Sequence, residues 1–272
     1  MENKQNWSNS ISNIRALAII VVVFGHSIIL YSSNWNIYTT KYTVPALDLL
    51  KRILDMFQMP LFFSISGYLF YFTYAKRRGI LHLINSKIKR LIVPYILVSL
   101  LYVIPLRIII HYPGYEHQTL IKLLTNILMA TDIGHLWFFV GYILCEHQQI
   151  IASIRKNQKI SYVLGIIASS LIVINTIYPM SVILTIVIKI IFIFSIYVWI
   201  PSNKNKIINI ISENSFGIYL FHSPLTYIIY TLDVNANPVV VVGINFIVCG
   251  IIASILTILL RKIKLGFMIG EV

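Results

Sequence analysis

Charge is scarce in this sequence. Only 11% of its 272 residues are charged, and the acidic ones number 9 against 22 basic. A soluble domain carries closer to one quarter charged residues. With 58% hydrophobic residues and a mean hydropathy of +0.81, the chain has more apolar surface than one soluble core of this size can hide. The natural solvent for such runs is a bilayer. Cysteine is nearly absent too. Cys145 and Cys249 lie inside apolar runs and build neither a disulfide framework nor a metal knuckle, so both are expected to be buried structural thiols and no metal is expected. No glycine-rich phosphate loop, His-Glu-x-x-His helix or nucleophile elbow occurs, which removes the common soluble-enzyme signatures. No long polar segment, repeat or low-complexity tract divides the chain, so one domain is expected over residues 1–272.

The sequence does hold long apolar runs with basic ends. They are too long and continuous for the short alternating segments of a barrel. The expected fold is therefore all-α, a polytopic transmembrane helix bundle. About eight spans can be drawn, with eight to ten possible: 14–31, 53–74, 91–110, 135–154, 160–178, 181–200, 217–232 and 239–260. A net charge of +13 suggests nucleic acid at first sight, but the charges sit at the ends of the runs. With the N-terminus inside, the internal segments hold sixteen of the 22 basic residues, while Lys41, Lys51, Arg52 and Lys122 fall outside. That asymmetry follows the positive-inside rule and puts both termini in the cytosol, with a lipid bilayer rather than nucleic acid as partner. No small-residue cleavage pattern follows the first run, so it is expected to be a retained span. Residues 119–130, "TLIKLLTNILMA", have helical apolar spacing and fit the outer interface or half of a further span.

Ionisable groups at membrane depth are costly and mark functional sites. In "RALAIIVVVFGH", Arg15 and His26 stand eleven positions apart, about 16 Å of helix rise and nearly the same helical face. Arg15 alone is equally well read as a snorkelling anchor. His26 could be a hydrogen-bonded core histidine, but its depth favours function. His222 in "SENSFGIYLFHSPL" is a second intramembrane histidine, on a helix that Ser212 or Asn214 could cap. In "MFQMPLFFSISGYLFYF", Pro60 is expected to kink the helix, and Ser64, Ser66 and Gly67 are small enough to admit a second helix or a slim ligand. The loop after it carries Arg77, Arg78 and Arg90 among six basic residues, either an anchor for anionic lipid or a phosphate-binding surface. His135 and Trp137 open the fourth span at the outer face. Asp55 and Arg107, both toward that face, read as a structural ion pair or part of an acceptor site, the ion pair being the better reading.

Taken together, these stretches resemble the membrane-bound acyltransferase-3 family. The Arg15-to-His26 spacing resembles its arginine-to-histidine motif, and "MPLFFSISGYLF" its second-span phenylalanine and serine-glycine signature. "KRLIVPY", ending at Tyr95, is similar to its basic-to-proline-tyrosine segment, "HLWFF" to its histidine-tryptophan element, and "FGIYLFHSPL" to its late histidine-proline element. The resemblance implies a multi-pass enzyme, of the bacterial inner membrane, that moves an acetyl or similar group from acyl-CoA to a hydroxyl. The acceptor it implies is a sugar of an O-antigen, capsule or other cell-envelope polysaccharide, or a lipid-linked precursor. Acetyl-CoA is then a co-substrate, with no bound cofactor.

On that footing His26 and Arg15 are the expected catalytic pair. Arg77, Arg78, Arg90, Ser66, Gly67 and Tyr95 are expected on the acyl-CoA side, and Asp55, His135, Trp137 and His222 on the acceptor side. Histidine suits the chemistry because it can take a hydroxyl proton or carry an acyl group near neutral pH. The competing reading is a transporter or flippase of a glycolipid or small anion, with His26, His222, Lys189 and Arg107 along its path. Its cue, paired broken helices in two related halves, is not seen in the sequence.

Overall fold

In hydrocarbon every backbone polar group needs an internal partner, and uninterrupted apolar runs meet that need as helices. A computed structural model describes residues 4–33, 43–74, 89, 93–111, 135–203, 205–231 and 236–271, and among these the regular elements are helical, with no strand. They are α1 (Lys4–Ile28), α2 (Pro45–Asp55), α3 (Gln58–Tyr74), α4 (Val93–Val98), a π turn (Ser99–Val103), α5 (Ile104–Ile109), α6 (His135–Glu146) and α7 (Gln148–Lys156). Then follow α8 (Gln158–Ile177), α9 (Val182–Trp199), α10 (Lys206–Thr231), α11 (Pro238–Lys262) and a 3-10 turn at Gly266–Ile269. Among the described residues five stretches are long and apolar enough to cross a membrane: Trp7–Tyr31, Pro45–Phe72, Gln158–Ile177, Val182–Trp199 and Pro238–Lys262. Large aliphatic residues such as Ile166, Ile183 and Ile251 stand exposed on the last three, as lipid-facing side chains do.

The chain gathers into two compact units. The first comprises residues 1–25, 49–77 and 134–213, and its core is a cluster that includes Ile14, Ala18, Leu61, Ile65, Leu144, Ile193 and Tyr197. Within it α3 and α6 pack backbone to backbone, because a Cβ on Gly141 would fall onto the Ser64 carbonyl. The small residues of the second span therefore do admit a neighbouring helix, and Gly141 is the partner position. Gly165 plays a similar part for α8 and α9, where a Cβ would lie 2.7 Å from the Trp199 ring. Helix α9 ends under Arg155, whose Nε donates to Val198 O at 3.1 Å and Nη2 to Tyr197 O at 2.7 Å, supplying donors to carbonyls that a helix end leaves open. Its Nη1 donates to Ser10 Oγ at 3.1 Å, and the guanidinium lies 5.1 Å from the Trp7 ring centre.

The second unit comprises residues 26–48, 78–133 and 214–272. Here α10 and α11 approach closely at Gly217, where a Cβ would strike Thr257 Oγ1. Arg261 at the end of α11 donates from Nη1 to Asn214 Oδ1 at 3.0 Å and from Nε to both Glu271 oxygens at 3.0 and 2.9 Å.

Several sequence expectations change in the details. Helix α10 starts at Lys206, not near residue 217, because Asn205 Oδ1 accepts from Ile207 N at 2.9 Å and caps it. Ser212 and Asn214 are thus buried inside the helix and do not cap it. Pro60 falls in the first turn of α3, just after the turn at Met56–Phe57 that interrupts the Pro45–Phe72 span, where its missing N–H leaves the Met56 carbonyl without a helical donor. The expected fourth span is broken at His147, inside the polar run Glu146–Gln149. The π turn precedes Pro105, which cannot donate to the ladder. Residues 119–130 and the basic residues Arg77, Arg78 and Arg90 lie outside the described residues.

Candidate active site

In the second unit, the structure brings His26 and His222 together. His26 ends α1, a favourable place for a cationic or polar ring at the helix C-terminus. His222 sits on α10, and the two ring centres are 4.9 Å apart with planes at 80°. His26 is half-buried, while His222 is 2% exposed.

The tautomer of His222 follows from its partners. Its Nδ1 lies 3.0 Å from Ile218 O and 2.9 Å from Tyr219 O. Carbonyl oxygens only accept, so Nδ1 carries the proton and Nε2 keeps a lone pair. That Nε2 is buried and has no hydrogen-bond partner among the described residues. Buried polar atoms are almost always paired, so an exception calls for a reason.

The surrounding helix is built to hold the ring still. Pro224 lies inside α10 and has no N–H for the carbonyl one turn before it. Side chains then serve several carbonyls of this stretch. His222 Nδ1 serves two, Tyr102 Oη donates to Phe221 O at 2.9 Å, and Thr226 Oγ1 donates to His222 O at 3.0 Å. Tyr102 comes from the π turn, and its ring meets that of Phe221 at 5.2 Å. Such turns are frequent beside functional sites. Asn245 Nδ2 on α11 donates to Thr226 O at 3.1 Å, and buried Cys249 donates from Sγ to Asn245 Oδ1 at 2.9 Å, so this thiol has a structural place.

The first unit holds Arg15, Asp55 and Lys189. Arg15 is half-buried on α1, and the exposed carboxylate of Glu213 is the opposite charge that acts on it. Around it α1 is tied to the following chain by Ser12 Oγ to Asn209 Oδ1 at 3.3 Å and Asn13 Nδ2 to Pro201 O at 2.8 Å. Asp55 forms an ion pair with Lys51, which is fully buried, and accepts from Gln58 Nε2. Lys51, placed in an outer loop by the charge distribution, is a helix residue inside this unit. Lys189 adds a second positive charge acting on Asp55. The Gln58 amide occupies the space that a Cβ on Gly25 would take, and its Oε1 is buried without a partner among the described residues. Ser66 Oγ donates back to Phe62 O at 3.4 Å, and Gly67 is buried.

Tyr95 stands in α4, while His135 and Trp137 open α6; their side chains lie outside the described set. Among the described residues no group of three His, Cys, Asp or Glu is placed to hold a metal ion. Sequence reasoning passed over Glu213, Gln58 and Gly141. A glutamate 198 positions from Arg15 carries no local signal, and the glutamine and glycine each sit in otherwise ordinary apolar helices.

The sequence matches the family described as Acyltransferase domain over residues 8–145 and 138–260, which together span both units. No curated protein and no solved structure matches the chain. The match runs through the helix of Arg15 and His26 and the helix of His222, on a chain whose described residues include five apolar helices long enough to cross a membrane. The protein belongs to the acyltransferase-3 family and is a membrane acyltransferase.

Proposed function

We propose that this acyltransferase takes an acetyl or similar acyl group from acyl-CoA and delivers it to a hydroxyl of a carbohydrate, as part of a cell-surface polysaccharide or a lipid-linked precursor. The observation that carries the reading is the pair of imidazoles, one half-open and one buried, at the end of α1. The acceptor oxygen attacks the thioester carbonyl, the C–O bond forms and the C–S bond breaks. The hydroxyl proton passes to a ring nitrogen of His26 and from there to the departing thiolate. Arg15 binds a phosphate of coenzyme A, for which the planar guanidinium is suited. Helix α1 runs unbroken through both residues, so their rise of about 16 Å is set by the helix itself and suits a phosphate at one end and a thioester at the other. Arg77, Arg78 and Arg90 supply further phosphate contacts at the cytosolic face of a bacterial inner membrane, with Ser66, Gly67 and Tyr95 along the donor. Asp55, His135 and Trp137 serve the acceptor.

Incubation of the purified protein with labelled acetyl-CoA and an acceptor saccharide tests this. Transfer of label is expected from the wild-type protein and its loss, by about 10³-fold, from folded His26→Ala. A His26→Ala protein with wild-type transfer would remove His26 from the mechanism.

A further inference from the structure

The histidine pair has an asymmetry that acyl transfer by a single base does not need. His26 is reachable, whereas His222 is closed off at 2% exposure and yet keeps a bare nitrogen. A merely structural histidine here would be satisfied by its Nδ1 bonds to Ile218 and Tyr219, and a leucine or phenylalanine would fill the rest of the space without burying a lone pair. Leaving a buried acceptor without a hydrogen bond lowers stability. An in-line N–H···N bond between two imidazoles places their centres roughly 5 Å apart, since N···N is about 2.9 Å and each ring adds its own radius. The observed separation is 4.9 Å.

We propose that His222 is the positioning residue of His26: its Nε2 accepts a ring N–H of His26 during turnover, which orients that ring and holds the opposite nitrogen of His26 as the lone pair that meets the acceptor hydroxyl. This rests on the reading of His26 as the base. The logic is that of a base oriented by a third group, with a neutral imidazole in the place of a carboxylate. No bond to carbon involves His222. When His26 takes the hydroxyl proton it becomes an imidazolium, and the N–H it already donates to Nε2 becomes a charge-assisted donor, which strengthens the bond as the transition state is reached. Catalytic hydrogen bonds commonly tighten only with substrate in place, so the bond belongs to the loaded enzyme. Tyr102, Thr226 and the anchoring carbonyls keep Nε2 where His26 can find it.

Two substitutions in the full-length protein separate positioning from packing. In His222→Asn the amide N–H stands where Nδ1 stood and keeps the anchor, but the side chain ends short of Nε2. In His222→Gln the amide oxygen reaches the Nε2 position and restores an acceptor. The readouts are kcat and KM for labelled acetyl-CoA, with thermal unfolding alongside. Expected for His222→Asn is a kcat lower by about 100-fold with KM unchanged, and for His222→Gln a kcat within about tenfold of wild type. Wild-type kcat in His222→Asn would overturn the positioning role and leave the acyltransferase reading standing. Equal losses in both folded variants would overturn it as well, since an acceptor at that place would then not matter. A wild-type protein that moves no acyl group from acyl-CoA would remove the donor reading and this proposal together.

Discussion

Arg155 and His222 are both polar side chains set against helix backbone, and the structure treats them in opposite ways. Each of the three guanidinium nitrogens of Arg155 donates to a named oxygen, and its face is covered by Trp7. His222 has one nitrogen doubly engaged and the other bare. A residue whose work is to hold a helix end together is satisfied on every side. On the proposed reading, His222 keeps one nitrogen in reserve for His26. The difference is one of partners rather than of polarity, because both residues are polar and tied to apolar helices.

The contrast can be tested first on the scaffold side, where the largest losses are expected. Gly141→Val forces a branched side chain onto the Ser64 carbonyl and should cost about 3 kcal/mol, read as a sharp fall in thermal midpoint and folded yield in detergent. Arg155→Leu leaves the Tyr197 and Val198 carbonyls without their donor and should cost about 2 kcal/mol by the same measurement. On the site side, Arg15→Ala should raise KM for acetyl-CoA about tenfold, equivalent to 1.4 kcal/mol, with little change in stability. An unchanged KM would remove Arg15 from donor binding. The smallest effect is expected for Thr226→Val, which removes one hydrogen bond to His222 O and should lower stability by about 1 kcal/mol.

Much of the helical layout could be read from hydropathy. The expected spans 160–178, 181–200 and 239–260 correspond to α8, α9 and α11 within two residues at each end, because uniformly apolar runs bounded by Asn157, Ser181 and Asn237 caps leave little choice. Polar starts were harder. Asn205 looks like one more residue of "SNKNK", and nothing local says that it caps a helix whose Ser212 and Asn214 are interior. The depth expected of His26 and His222 singles both out, since ionisable groups are rare in hydrocarbon. Their proximity, however, joins residues 196 positions apart, and no spacing rule reaches that far. For a similar reason Lys51, counted outside by charge, gives no sign in the sequence of being buried within a helix. Its partner Asp55 is one helical turn away, but the burial of the pair depends on packing that charge counting does not see.

The most direct test sets the two kinds of polar residue against each other in one assay. Acyl transfer from labelled acetyl-CoA is measured per mole of folded protein for His26→Ala and for Arg155→Leu. Arg155→Leu is expected to turn over like wild type once folded, although it unfolds at lower temperature, while stable His26→Ala is expected to transfer almost nothing. Comparable turnover numbers for the two variants would contradict the account.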